Sequence, residues 1–299
     1  MLIRRFFLGA DGVKVLKAKI SNVDYRFLYY VLCNAKIPNT GYNRHFKWLK
    51  EVEIPLPPLE TQKQIAANLD KVTYTINLCN EILEKLDLLV KARFVEMFGD
   101  ISIEQYKYQT QKLGDVAFVG SSHRVFTTEF VDNGIPFYRG TEIGELANGI
   151  KPLEPYYISE EHYKRLSNDE SKPKIGDLLM PSICNKGQIW MVDTEEPFYY
   201  KDGRVLCISA NREIYNTKYL QYFLREKTKI EYPKLGSGST FAEFKIFILK
   251  ELDILTPPMN VQNQFADFVT QTDKSKSAVK QVLEKAETLK KALMQEYFG

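Results

Sequence analysis

Apolar residues follow two different rhythms along this chain. After Pro57-Pro58, the residues Ile65, Leu69, Val72, Ile76, Cys79, Leu83, Leu86 and Val90 succeed one another in alternating steps of four and three. That is a heptad seam, the pattern by which one helix winds around another. No proline or glycine interrupts it before Gly99, a residue suited to closing a helix. The spacing predicts a helix over residues 60–98, about 58 Å long at the α-helical rise. A second stretch repeats the pattern with Phe265, Val269, Val279, Leu283, Ala286 and Leu293, but Thr272 and Lys276 stand where Val72 and Ile76 stand in the first. The expected partner of each helix is the other, in an antiparallel pair. Two surface helices packed on their own domains, or a parallel or intermolecular pairing, are the alternatives.

Between the helices the rhythm shortens. From Lys112 to Lys250 the chain is rich in Tyr, Phe, Ile and Val in short runs cut by Gly and Pro. Ile135–Arg139, Asp177–Met180, Gln188–Val192, Phe198–Tyr200 and Val205–Ile208 read as strands. Thr217–Thr228 reads as a helix, with Tyr219, Leu220, Phe223 and Leu224 on one face. Short strands mixed with few helices predict an α+β unit.

The same text is written twice. The segment from Ile54 through Pro57, Pro58, Gln62 and Ala66 recurs as Ile254 through Pro257, Pro258, Gln262 and Ala266, at an offset of 200 positions that holds to Phe98-Gly99 and Phe298-Gly299. Further upstream, Phe27–Leu32 resembles Tyr219–Leu224 at an offset of 192, so a length change lies between. A repeat this long decides architecture. Residues 1–57 match only the later part of the full unit and read as the C-terminal part of a first domain truncated at its start. Residues 58–100 then form the first long helix, 108–256 the complete domain and 257–299 the second long helix.

Composition narrows the function classes. Of the 299 residues, 44% are hydrophobic and 26% charged, which excludes wholesale disorder. A net charge of +3 is too small for a protein that coats nucleic acid, so any anionic partner must be met by a local patch. Cys33, Cys79, Cys184 and Cys207 form no CxxC pair and lie at no zinc-ligand spacing from His45, His123 or His162. No metal site is therefore expected, and the thiols read as reduced. No run is long enough to span a membrane and no signal-peptide core is visible, so the expected location is the cytoplasm.

The loops carry the candidate contacts. Ser182–Gln188 places Asn185, Lys186 and Gln188 beside a glycine, Arg139 and Thr141 follow a strand, and Gly236–Thr240 brings Ser237, Ser239 and Thr240 between Lys234 and Lys245. In the first unit Asn43 and Arg44 lie in a similar loop. Arg and Lys read guanine, Asn and Gln read adenine, Ser and Thr read either, and lysines with backbone amides hold phosphates. Any one of these loops alone reads better as a solvated turn; only together with the repeat do they favour DNA.

With these motifs assembled, the chain resembles the specificity subunits of type I restriction-modification systems. The resemblance rests on Asn39–Phe46, on Ile54–Glu60 leading through Gln62–Ala66 into the long helix, on Gly134–Gly140 and Gly176–Met180, and on the second copy's Gly236–Thr240 and Pro257-Pro258. It implies mixed-sheet target recognition domains joined by two long helices in an antiparallel coiled coil. It also implies binding to double-stranded DNA, each recognition domain reading half of a split site while the helices set the distance between halves. Methyltransferase and restriction subunits would be the partners, and a second specificity chain is a further candidate. S-adenosylmethionine and ATP would be held by those partners and no cofactor by this chain. Ile65, Leu69, Val72, Ile76, Leu83, Leu86, Phe265, Val279 and Leu283 would form the helix and partner interface. A typical member has two complete recognition domains; here the first reads as truncated at its start.

No catalytic residue is expected. An adenine methyltransferase needs Asn or Asp before Pro-Pro-aromatic, whereas Pro57-Pro58 lies between Leu56 and Leu59, and Pro257-Pro258 between Thr256 and Met259. Gly236-Ser-Gly-Ser lacks the Gly-Lys-Ser/Thr of a phosphate loop. The competing reading is a coiled-coil scaffold that binds only protein, which leaves the large loop-rich unit unexplained.

Overall fold

The computed structural model describes residues 15–38, 46–169, 171–236 and 242–299. The fold is α+β, and two helices of 40 residues each dominate it, α3 (Leu59–Phe98) and α9 (Met259–Phe298). Ahead of α3 stand α1 (Tyr25–Asn34) and the short α2 (Phe46–Leu49). Between the long helices lie β1 (Gly99–Asp100), β2 (Gln105–Tyr106), β3 (Thr110–Lys112), α4 (Leu113–Val116), β4 (Ala117–Gly120), β5 (Phe130–Val131) and β6 (Ile135–Tyr138). They continue as α5 (Gly140–Leu146), β7 (Tyr156–Ile158), α6 (Glu160–Leu166), β8 (Leu178–Pro181), β9 (Trp190–Met191), β10 (Tyr199–Tyr200) and β11 (Val205–Ala210). Finally come α7 (Thr217–Glu231), α8 (Ile246–Lys250) and β12 (Asp253–Leu255).

The chain divides into two compact units. One holds the described residues up to Asp87 with Lys274–Gly299; the other is Leu88–Asp273. In the first unit α3 and α9 run antiparallel. Asn68, near the start of α3, donates from Nδ2 to the Tyr297 hydroxyl at 3.2 Å, while Asp87 accepts from Lys276 at 2.5 Å. Seam positions Leu69, Cys79 and Ala286 are buried, and Ile65, Val72, Ile76, Leu83, Leu86, Val279 and Leu283 are half-buried. In the second unit Phe265 meets Phe94 and Phe98 with ring centroids 5.4 Å apart in both cases. The heptad rhythm therefore faces inward in both units, as an antiparallel seam requires.

The second unit holds two four-stranded sheets. In one, the order is β4-β11-β8-β9, all antiparallel, with Ile208 opposite Leu178 and Leu179 opposite Trp190. Successive side chains on a strand point to opposite faces. Leu178, Met180, Leu206 and Ile208 therefore enter one core with α7 and the ends of the long helices, and Leu179, Val205 and Cys207 enter another with Ile143 and Trp190. Both faces are covered, which is why these strands read as unbroken apolar runs. The other sheet has the order β10-β6-β7-β5, with β10 parallel to β6 and the remaining pairs antiparallel. β3 and β12 pair antiparallel at the entry to α9.

Buried glutamines tie each long helix to a shorter one. Gln62 Nε2 donates to the Pro57 carbonyl at 2.8 Å and its Oε1 accepts from the Asp24 amide at 2.9 Å. Gln262 Nε2 donates to the Pro257 carbonyl at 2.7 Å and its Oε1 accepts from the Asn216 amide at 2.9 Å. Asp24 caps α1 and Asn216 caps α7, so each glutamine fixes the point where a helix begins.

Candidate nucleic-acid interface

A groove of about 360 Å³ opens in the second unit between α5, the loop after β8 and α7. Its walls carry Thr141, Lys186 and Gln188, three of the residues singled out by sequence, together with Glu145, Asn148 and Arg225. Segments far apart in the chain supply them, and the local chemistry explains each placement.

The loop Ser182–Gln188 is pressed onto α7. Gly187 has φ +68°, and a Cβ there would lie 2.5 Å from the Arg225 carbonyl oxygen, so only glycine fits. Gln188 Oε1 accepts from the Lys186 amide at 3.0 Å, which closes the turn and leaves the Lys186 side chain and Asn185 exposed. Ser182 is buried, and its amide donates to the Arg204 carbonyl at 2.8 Å. Gln188 thus spends part of its amide on the turn.

α5 begins at Arg139, whose role is largely internal. Its amide donates to Glu142 Oε2 at 2.8 Å and its guanidinium donates to Glu142 Oε1 at 2.6 Å, while Cζ lies 4.6 Å from the Tyr156 ring centroid. Burial pushes the Glu142 carboxyl up, but the Arg139 guanidinium and the helix-starting amides outweigh it and hold the group below its ordinary value. Arg139 is not among the groove residues, and neither is Asn185. Lys234 pairs with Glu231 at 3.0 Å, and Arg204 and Lys245 share Glu243. Asn43, Arg44, Ser237, Ser239 and Thr240 lie outside the described residues.

Lys186 and Arg225 differ from these neighbours. Among the described residues no carboxylate lies within ion-pairing distance of either. Neither is ion-paired, and the groove, which Glu145 also lines, offers Asn148, Gln188 and Thr141 as hydrogen-bonding groups. Sequence reasoning missed Arg225 and Asn148. The one signal in the text was Gly140 and Gly144 spaced four apart, which places two bare positions on one helix face.

Among the described residues no group of three His, Cys, Asp or Glu side chains is placed to hold a metal ion. Burial pushes the Cys184 thiol up to about 11 and the Cys207 thiol up to about 12, so neither supplies a nucleophile at neutral pH. Among the described residues no helix is long and apolar enough to cross a membrane.

The family model for the type I restriction modification DNA specificity domain matches residues 1–88 and 106–288. The chain belongs to this family. Specificity chains elsewhere are similar over most of their length. One named as a type I restriction enzyme specificity subunit in Haemophilus influenzae is 28% identical over 274 residues, covering 88% of this chain and 68% of that one. The type I restriction enzyme MjaVIII specificity subunit of Methanocaldococcus jannaschii is 25% identical, covering 96% of this chain and 74% of that one. In structure the fold is similar to the S subunit of a type I restriction-modification system from M. genitalium, with a TM-score of 0.55, 17% identity and coverage of 93% and 73%. As a member of the specificity family, the chain combines a DNA specificity domain with a pair of long helices.

Proposed function

We propose that this chain is the non-catalytic subunit that reads a double-stranded DNA sequence for a type I restriction-modification complex. In this reading the groove of the second unit meets the duplex. The paired long helices bind methyltransferase subunits, and restriction subunits join that assembly in the cytoplasm. Adenine-N6 methylation with S-adenosylmethionine and ATP-driven cleavage belong to the partners, and this chain holds no cofactor. The observation that carries the reading is the convergence of Thr141, Lys186 and Gln188 with Arg225 on one groove, both cations being without an ion-pair partner among the described residues. Cations without an internal partner release counterions when they meet phosphates, and neutral amides and hydroxyls beside them can read base edges.

The test is duplex binding by the full chain across a series of salt concentrations. Binding should weaken steeply with salt, and Lys186→Ala should lower affinity and reduce the slope of log K against log salt by about one. A wild-type chain that binds methyltransferase subunits but no duplex at any salt concentration would instead be a protein-binding scaffold.

A further inference from the structure

Gly144 lies inside α5, where glycine destabilises a helix relative to alanine. Packing does not require it, because a Cβ built there would meet nothing within 4 Å. This contrasts with Gly187 across the groove, where a Cβ would collide with the Arg225 carbonyl. The bare position therefore leaves space in the groove wall that no residue of this chain fills.

The groove around that space carries Glu145, Asn148 and Arg225, together with Thr141, Lys186 and Gln188. The Arg225 guanidinium is a planar fork of donors with no carboxylate partner among the described residues. Taken alone, it suits either a phosphate or a guanine edge. Glu145 separates the two. It is half-buried and, among the described residues, no cation pairs with it, so a phosphate on Arg225 would leave Glu145 without a donor. A base pair can serve both. In the major groove guanine presents acceptors at O6 and N7, and its cytosine partner presents an amine donor at N4. Arginine meets the first and a carboxylate meets the second.

We infer that this glycine-walled groove is a base-reading subsite for one G·C pair, with Arg225 donating to guanine, Glu145 accepting from cytosine and Gly144 leaving room for the base edge. Arg225, Glu145 and Gly144 are thus specificity-determining residues. The inference rests on the DNA-reading function proposed above and adds to it the identity of one base pair.

The experiment is selection of bound sequences from a randomised duplex library by the full chain, wild type and variants, with melting temperature measured alongside. The wild type should enrich a motif containing an invariant G·C position. Arg225→Ala should erase the preference at that position alone, a loss on the order of tenfold to a hundredfold in discrimination. Arg225→Lys should erase it too while leaving the salt slope intact, because lysine keeps the charge but loses the fork. Gly144→Leu should melt at or above the wild-type temperature yet bind the selected duplex more than tenfold more weakly. Three outcomes overturn the inference. If Arg225→Ala keeps the whole motif and its salt slope falls by about one, Arg225 is a phosphate contact and the DNA-reading function stands without this subsite. If Gly144→Leu binds like the wild type, the space is not occupied by DNA. If the wild type enriches no sequence, the DNA-reading function fails and takes the inference with it.

Discussion

Gln62 and Gln262 occupy equivalent places in the two copies of the repeat and perform the same act in different surroundings. Each donates to the carbonyl of a proline that precedes its long helix and accepts from the amide of a residue that caps a shorter helix. The rings follow the same rule. Phe298, at the end of α9, meets Phe27 of α1 at 5.6 Å, and Phe98, at the end of α3, meets Tyr219 of α7 at 4.9 Å. In both copies a short helix therefore packs on the end of one long helix. The surroundings differ. On α7, Tyr219, Leu220, Phe223 and Leu224 are wholly buried, covered on one side by Cys184 and Ile189. On α1, the counterparts Phe27 and Val31 are buried, but Leu28 and Leu32 are only half-buried, and the buried apolar cluster is Phe27, Val31 and Ala66. The clamp is thus set by groups close to the long helices. Burial of the short helix is set by the strands that cover it.

If that distinction holds, equivalent substitutions should cost different amounts in the two copies. The two tryptophans allow each to be read separately, since Trp48 belongs to the first unit and Trp190 to the second. The largest difference should come from the end-of-helix rings. Phe98 is fully buried among Phe94, Tyr219 and Phe265, and Phe98→Ala should cost about 3–5 kcal/mol in the Trp190 denaturation curve. Phe298 is only half-buried, and Phe298→Ala should cost about 1 kcal/mol in the Trp48 curve. Equal losses would mean that the covering layer contributes nothing.

The clamps come next. Gln262→Ala leaves the Asn216 amide and the Ile214 and Pro257 carbonyls without their partner inside a buried site, and should cost about 3 kcal/mol. Gln62→Ala should cost about 1–2 kcal/mol, because one of its acceptors, the Asn22 carbonyl at 3.4 Å, belongs to an exposed residue that water can reach. Both are measured by urea denaturation of tryptophan variants that keep a single reporter. A larger loss for Gln62→Ala would refute the comparison.

The legible parts of this fold were those whose pattern is local. Heptad steps located both long helices, and strands buried on both faces, such as Leu178–Pro181 and Val205–Ala210, stood out as apolar runs. α5 was not legible. Arg139–Glu142 reads as the end of a strand followed by a loop, because Gly140 and Gly144 weaken the helical signal. The helix forms because Glu142 accepts from the Arg139 amide and Ile143 is fully buried. The groove was half legible. Thr141, Lys186 and Gln188 are the polar residues that loops advertise, whereas Arg225 sits in a helix whose pattern points to its apolar face. Its meeting with the Gly187 loop exists only in the folded chain.

The smallest effect concerns the weak middle of the second seam. Thr272 lies where Val72 lies in the first helix and is buried, with its hydroxyl donating to the Phe268 carbonyl at 2.9 Å. That carbonyl also serves the helix backbone, so the hydroxyl satisfies itself at the ladder's expense. Thr272→Val removes a buried polar group without orphaning a partner. It should therefore stabilise the second unit by about 0.5–1 kcal/mol, read as a rise in the Trp190 midpoint. The reverse change, Val72→Thr, brings a hydroxyl to a half-buried position and should lower the Trp48 midpoint by a similar amount. A fall on Thr272→Val would show that the polar residue is needed where it stands, and that the two seams differ in kind and not only in strength.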